Sequence, residues 1–309
     1  MGELTEKQTN TWILASLAAP TAHLAAGIPW IHVLIIGAAA GIVRSFVGPT
    51  RGNILKRLLC ILSAAQEMEI LSACWPGEED IQWVMVILLG LAFLMAGRGM
   101  AGTVQGGILL WWFVAALLGS VVFSGLTQLD LKRLPLEFKS GMGERELLLF
   151  EVLVLPCLFG KIEWNEGRAG GLLILLPVLC ALSAQGILGK AAFQIPAPFY
   201  DLSRSIRLFG VFDRMEGLAW LGLMLGAFLY LSALAVGALG GQEERTPLWK
   251  QGIPAAAIIL LRRIPIDLKI PILTGLLLLS FTVPWEMLRE RNGDFRERKR
   301  NLKKHGKTG

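Results

Sequence analysis

Polar side chains interrupt the apolar runs of this sequence, and they are its best candidates for binding chemistry. The first run contains Pro20 among alanines, and a later run contains Pro156. A proline inside an apolar helix leaves backbone carbonyls unbonded, which lipid tolerates only where protein or a cavity meets them. Freed backbone groups and helix ends can bind the carboxylate and the ammonium group of a small polar ligand. The predicted substrate-binding residues are Ser16, Thr21, His23, Glu67, Glu151 and Cys157.

Glu67 and His23 also have ordinary structural explanations. An acidic residue inside a membrane span costs about 2.5–3.5 kcal/mol on insertion scales, so Glu67 and its neighbour Glu69 should face protein or water. Pairing with a neighbouring helix, or reaching the outer interface, would satisfy them equally well. For His23 a packing role and a binding role are evenly matched, whereas His32 is better explained as a packing or interfacial residue.

The sequence predicts neither an enzyme nor a cofactor-binding protein. It contains no HExxH, Walker A or GxSxG sequence. With three histidines, one of them in the C-terminal tail, zinc catalysis is hard to assemble. The four cysteines have no CxxC spacing and indicate packing residues rather than disulfides or metal ligands. The excess positive charge lies in one early loop and at the C-terminus, a distribution that does not indicate nucleic-acid binding.

Composition predicts a membrane protein. Of the 309 residues, 54% are hydrophobic and 17% are charged, and the mean hydropathy is +0.56. A soluble domain carries about 25% charged residues. The N-terminal sequence MGELTEKQTN lacks the basic start of a signal peptide, so the first apolar run is expected to remain as a helix.

The apolar runs predict an all-α integral membrane protein with about ten transmembrane helices. Basic residues from Arg44 to Arg57 mark a cytoplasmic loop by the positive-inside rule, which puts the N-terminus inside. The basic C-terminal tail is also predicted to be cytoplasmic, so the number of crossings should be even. The short run 253–261 then counts as a shielded ninth span; a re-entrant hairpin, or nine spans with the tail outside, is the alternative. The predicted spans are 11–27, 30–47, 58–75, 81–97, 108–126, 147–160, 169–188, 215–240, 253–261 and 270–288.

The predicted organisation has three parts. Residues 1–10 form a cytoplasmic N-terminus, 11–288 a single polytopic membrane domain, and 289–309 a basic cytoplasmic tail. The first and sixth spans, interrupted by proline or short, hold corresponding positions in two halves of five helices. This pattern is typical of a transporter with a 5+5 inverted repeat, whose binding site lies at interrupted helices 1 and 6. The argument is positional, because the halves share no visible sequence identity.

A polar, arginine-bearing segment at 194–216 separates two apolar runs. Phe199, Leu202, Ile206 and Phe209 recur there at helical spacing. At about 12 residues the periodic stretch is too short to cross a bilayer. We expect an amphipathic helix along the outer membrane surface that covers the site like a lid, with an ordinary polar loop as the alternative. The predicted lid or partner contacts are Arg204, Arg207 and Arg214.

The stretch FYDLSRSIRLFGVFDRMEGLAWLGLMLGAFL resembles the loop and eighth helix of the B subunit of spore nutrient-germinant receptors. The most specific part of this likeness is the run Arg207, Phe212, Arg214 and Glu216. LTEKQ, MAGRGMAGTVQGG and TQLDLKRLPLEFKSG are similar, in the same order, to other stretches of that family, so the likeness extends over about residues 4 to 290. The chain is shorter than is usual for the family, and the deficit falls at the ninth helix.

The resemblance implies the ten-helix fold of the amino acid–polyamine–organocation transporters. It implies a subunit that senses a small nutrient, such as an amino acid, in the inner membrane of an endospore. The implied partners are A- and C-type receptor subunits, besides membrane lipid. An amino acid or amine secondary transporter of the same fold is the alternative function, and a purely structural membrane subunit is a third.

Overall fold

The computed structural model of the chain describes residues 5–46, 54–73, 81–135, 143–154, 170–206, 215–240 and 245–263. Within these ranges the chain forms ten α-helices and no strand. Short 3₁₀ helices follow α5 and α7, at Leu131–Arg133 and Gly189–Phe193. The α-helices are α1 (Glu6–Ala26), α2 (Trp30–Phe46), α3 (Ile54–Ala73), α4 (Gln82–Ala96), α5 (Met100–Thr127), α6 (Glu144–Val154), α7 (Gly171–Leu188), α8 (Pro198–Ser205), α9 (Glu216–Ala238) and α10 (Leu248–Arg263).

Three of the described helices are long and apolar enough to cross a membrane: α5, α9, and α7 with the 3₁₀ helix after it. Helices α2 and α4 are apolar but shorter. Large apolar side chains are exposed on the outside of the bundle, as Leu109, Trp112 and Phe113 of α5 show, whereas Gln185 of α7 is fully buried. An apolar outside around a partly polar inside is the arrangement that a bilayer requires. The all-helical prediction is therefore confirmed for the described residues.

Helices α1 and α9 form the centre of the bundle. Helix α1 packs against α5, α6, α7 and α9, and α9 also packs against α3 and α4. The most apolar part of α9 is 72% buried, against 28% for α5, so α9 is an inner helix and α5 a peripheral one. The two central helices approach closely at Gly226, where an added Cβ would lie 2.4 Å from the Cβ of Ala19. Small residues at such contacts let apolar helices gain van der Waals energy in lipid.

The first helix is continuous through Pro20, which corrects the prediction that it is interrupted there. It also begins at Glu6, earlier than the predicted start, with a capping box that satisfies its first amides. Directly after the proline, the Thr21 hydroxyl donates a hydrogen bond to the Leu17 carbonyl at 2.6 Å. The carbonyl that Pro20 leaves without its backbone donor is that of Ser16, so the Thr21 bond adds to the turn after the proline and does not replace the lost bond. Helix α1 therefore offers no unwound backbone to a ligand.

The sixth helix is described only in its first part. Helix α6 begins at Glu144, three residues before the predicted span, and the described part ends at Val154. The predicted interruption at Pro156 lies outside the described residues, as does the 270–288 span. The 5+5 repeat with two interrupted helices thus stays a prediction, and its first half lacks the expected break.

Helix α8 closes one end of the bundle, which we call the α8 end. It begins at Pro198 and ends at Ser205, so it is shorter than the periodic pattern suggested. Phe199, Leu202 and Ile206 are fully buried, and α8 packs against α1, α5, α7 and α9. The amphipathic helix is therefore confirmed. Its apolar face contacts the other helices rather than lipid, which corrects the expected position along the membrane surface.

Helix α10 connects the two ends of the bundle. At the opposite end, the amide of Thr246, just before α10, donates to the Gly97 carbonyl at 2.9 Å. At the other end of α10, the Arg262 guanidinium donates to the Ser72 hydroxyl near the end of α3. Helix α10 begins at Leu248 and so is longer than the predicted run at 253–261. It packs against α3 and α4.

Candidate functional site

A small cavity lies between α1, α3 and α9, towards the α8 end of the bundle. Its open space is about 10 Å³, enough for about one water molecule. Pro20 is part of the cavity wall, because the cavity lies against the turn of α1 that contains this proline. The lining residues are Ala19, Pro20, His23 and Leu24 of α1, Glu67, Ile70 and Leu71 of α3, and Trp220 and Leu223 of α9.

Glu67 supplies the acidic group of the cavity wall. Its side chain is almost completely buried, with 4% of the residue exposed. No hydrogen bond and no ion pair reaches its carboxyl group from any other described residue. Its neighbour Gln66 is also buried, and neither its amide oxygen nor its amide nitrogen has a hydrogen-bond partner in the described ranges. A buried polar group without a partner is costly, so a carboxyl group at a cavity needs a water molecule, an ion or a ligand group as its partner.

Glu151 of α6 extends the acidic region behind Glu67. The Ser63 hydroxyl of α3 donates a hydrogen bond of 2.8 Å to Glu151 Oε1, so α3 and α6 are joined through buried polar side chains. Glu67 and Glu151 interact electrostatically, and the buried Tyr230 of α9 interacts with both. Three helices thus contribute hydroxyl and carboxyl groups to one buried polar cluster.

The predicted site residues of α1 behave differently from one another. His23 lines the cavity. The Ser16 hydroxyl instead donates to the Ile13 carbonyl of its own helix at 2.8 Å, and Thr21 likewise bonds its own helix. Both residues are buried, and their hydroxyls are already used. The structure therefore brings together His23, Glu67 and Glu151, but it gives Ser16 and Thr21 a role within α1. The remaining candidate, Cys157, lies outside the described residues.

Of the three predicted lid arginines, only Arg204 lies in the described part of the chain; Arg207 and Arg214 lie outside it. The Arg204 guanidinium is exposed and lies 3.9 Å from an Asp201 carboxylate oxygen of the same helix. An exposed pair at this spacing contributes little to stability. The Arg204 side chain is exposed on the outside of α8 and does not line the cavity.

Helix α8 nevertheless contacts a wall residue of the cavity through the ring of Tyr200. The rings of Tyr200 and Trp220 meet edge to face, with their centroids 6.3 Å apart. Because Trp220 is a wall of the cavity, α8 lies directly over one side of the candidate site. Any widening of the cavity on this side would have to move the Tyr200–Trp220 contact.

Sequence reasoning missed several members of this site. Trp220 is not among the predicted site residues, because tryptophan is common at membrane interfaces and nothing in its neighbours marks it as a cavity wall. Ser63 could have been found, because it lies four residues before Glu67 and so on the same face of α3.

Gly97, Gly99 and Gly102 have the spacing of a dinucleotide-binding turn at the start of α5. They follow helix α4 instead of a strand, so the structural context for such a turn is missing.

The loop between α1 and α2 is fixed to α7 by a buried amide. Gln185 is fully buried, and its Nε2 donates to the Ile28 carbonyl at 2.5 Å. The backbone amide of Trp30 donates to Oε1 of the same side chain at 3.2 Å. This clamp holds the end of α1 that follows the cavity-lining turn.

No known protein family matches the sequence, and no curated protein is significantly similar to it. The likeness to the B subunit of germinant receptors therefore rests on the sequence stretches quoted above alone.

Proposed function

We propose that this chain is a multi-pass membrane subunit that senses a small, amino acid-like nutrient through the cavity between α1, α3 and α9. The observation that carries the proposal is the unpaired, buried Glu67 carboxyl in the wall of that cavity. Binding sites of membrane proteins place ionisable groups inside the helix bundle, where a ligand or another polar group meets them. Tyr200 of α8 touches the cavity wall, which supports a lid role for this helix.

The size of the cavity sets a condition on this proposal. An open space for about one water molecule admits a head group but not a whole amino acid. The nutrient must therefore bind a wider conformation, in which α8 moves away from Trp220. A ligand shifts a protein towards the conformation that it binds better, and this shift is what a sensor transmits to its partners.

The resemblance supplies the biological setting of the proposal. In that setting the chain acts in the inner membrane of an endospore, together with A- and C-type receptor subunits. Co-purification of a tagged chain with a large A subunit and a lipoprotein C subunit from its native membrane would support this setting. Purification of the chain without either subunit would count against it.

A change that fills the cavity tests the site. Leu223→Phe adds volume to the cavity wall, whereas Leu221→Phe adds the same volume at a position of the same helix that is 51% exposed. Thermal unfolding of the full chain in lipid nanodiscs would be measured with each of the twenty amino acids and with small amines. We expect a stabilising ligand for the wild type and for Leu221→Phe, and loss of that stabilisation in Leu223→Phe. Equal stabilisation of the two variants would contradict this location of the site.

The alternative function is secondary transport of an amino acid or amine, and the buried cluster of Glu67, Glu151 and Tyr230 favours it. Buried ionisable chains of this kind serve as proton relays in pumps and transporters. Counterflow of a labelled ligand into proteoliposomes separates the two functions. Robust counterflow would establish transport, whereas ligand binding without counterflow would support the sensor.

For both functions we propose a topology in which the α8 end lies outside the cytoplasm. A single cysteine at Ser205, an exposed position at the end of α8, tests this placement. Labelling of Ser205→Cys by a membrane-impermeant thiol reagent from the cytoplasmic side would overturn it.

A further inference from the structure

We propose that the cavity beside Pro20 recognises a positively charged nitrogen, with the Glu67 carboxyl as the group that binds the ammonium of the ligand. The inference deepens the proposed function and rests on it, because it names the chemical class that the same cavity accepts. It follows from four features of the site: a carboxyl group without a partner among the described residues, a second acidic group behind it, an aromatic ring, and a space of the right size.

The ionisable side chains on the Glu67 side of the cavity, Glu67 and Glu151, are both acidic. No described cation forms an ion pair with Glu67, and Glu151 adds a second carboxyl group in electrostatic contact with it. Arg145 interacts electrostatically with His23, which also lines the cavity. Its guanidinium, however, donates to the Ile195 carbonyl at 2.7 Å, near the α8 end. A cationic ligand group at Glu67 would therefore supply the charge that the surrounding side chains do not.

The lining favours an organic ammonium over a metal cation. Hard cations such as Ca²⁺ and Mg²⁺ require six or more oxygen ligands. Apart from Glu67 and His23, the wall consists of apolar residues and Trp220, and no described group of His, Cys, Asp and Glu side chains is placed to hold a metal. An ammonium group needs fewer partners, and the indole of tryptophan attracts a cation through its ring face.

The size of the cavity agrees with this chemistry. An ammonium group is about as large as a water molecule, and the open space holds about one water molecule. The head group would fit the cavity as it stands, and the remainder of the ligand would extend towards the Tyr200–Trp220 contact. Recognition of the charge and displacement of α8 would thus be two parts of one binding event.

Matched sets of probes test the inference on the purified full chain in nanodiscs. Each set contains an amino acid, the amine without its carboxylate and the acid without its ammonium: glycine, methylamine and acetate; alanine, ethylamine and propionate; leucine, isopentylamine and 4-methylpentanoate. Affinity would be measured by calorimetry at constant ionic strength, with sodium chloride as the inorganic cation control. We expect binding by the amino acid and the amine of at least one set, and none by the acids or by sodium.

Variants of Glu67 then assign the contact. Glu67→Gln should weaken amine binding by at least about tenfold, because one charge-assisted hydrogen bond is lost. Glu67→Asp, which keeps the charge, should retain more affinity. The control Glu69→Gln changes an exposed carboxyl two residues away on α3 and should leave affinity unchanged.

The outcomes separate this inference from the proposed function. If amino acids and acids bind but amines do not, the ammonium inference is wrong and the nutrient site stands. The inference also fails if Glu67→Gln, folded and monodisperse, binds amines as the wild type does. If no probe of any set binds, both the inference and the nutrient-binding function are wrong.

Discussion

Replacement of Gln185 by methionine should destabilise the fold more than any change in the cavity, because this side chain satisfies two backbone groups at once. Gln185 is fully buried, accepts a hydrogen bond from the Trp30 amide and donates one to the Ile28 carbonyl. Methionine has similar length and no hydrogen-bonding amide. Each buried group left unpaired costs about 1–3 kcal/mol, so the expected loss in the free energy of unfolding is about 2–6 kcal/mol.

The assay is reversible unfolding in mixed detergent micelles, with hydrogen exchange as a local readout. Gln105→Met makes the same change at an exposed position of α5 and should alter the free energy of unfolding by no more than about 0.5 kcal/mol. In Gln185→Met the amide of Trp30 should also exchange faster, since it has lost its acceptor. A difference between the two variants below about 1 kcal/mol, with unchanged exchange at Trp30, would refute the clamp.

Two further predictions concern packing and topology. Gly226→Ala should lower the free energy of unfolding by about 1–3 kcal/mol in the same assay, because the new Cβ meets Ala19. Ala19→Gly in the same chain should restore part of that loss. The control Gly90→Ala adds a Cβ with nothing within 4 Å and should not destabilise the chain. Cysteines introduced at Lys190 and Arg245 should react with a membrane-impermeant thiol reagent from opposite sides of the membrane, since the two positions lie at opposite ends of the bundle. Reaction of both from one side would contradict this arrangement of α7 and α10.

The cavity shows how far residue types alone can locate a site. Glu67 and Glu151 were predicted as site residues because a carboxyl group inside an apolar run has a high free energy of membrane insertion. The structure places both in one buried cluster. Ser16 and Thr21 were predicted because they are polar residues near Pro20, yet a hydroxyl is short enough to bond a carbonyl of its own helix. A carboxyl group cannot donate in this way when ionised, so its partner must come from elsewhere.

Pro20 shows a structural outcome that the residue type alone did not predict. Pro20 suggested a broken first helix, because proline removes one backbone hydrogen bond. Helix α1 continues through it, since packing on five neighbouring helices (α5, α6, α7, α8 and α9) outweighs that loss. The cost of one missing bond is local and visible in the sequence, whereas the packing that offsets it depends on residues far along the chain.

The sequence by itself determined the helical class, the apolar character and the amphipathic periodicity of α8, because each of these depends on side chains close together along one segment. Only the tertiary structure decided that the apolar face of α8 covers the ends of four helices and that Tyr200 meets Trp220. It also decided that Glu67 lies unpaired at a cavity while Glu69, on the same helix, is exposed. Whether a polar group is paired depends on which neighbours the fold brings within hydrogen-bond distance, and one segment does not contain that information.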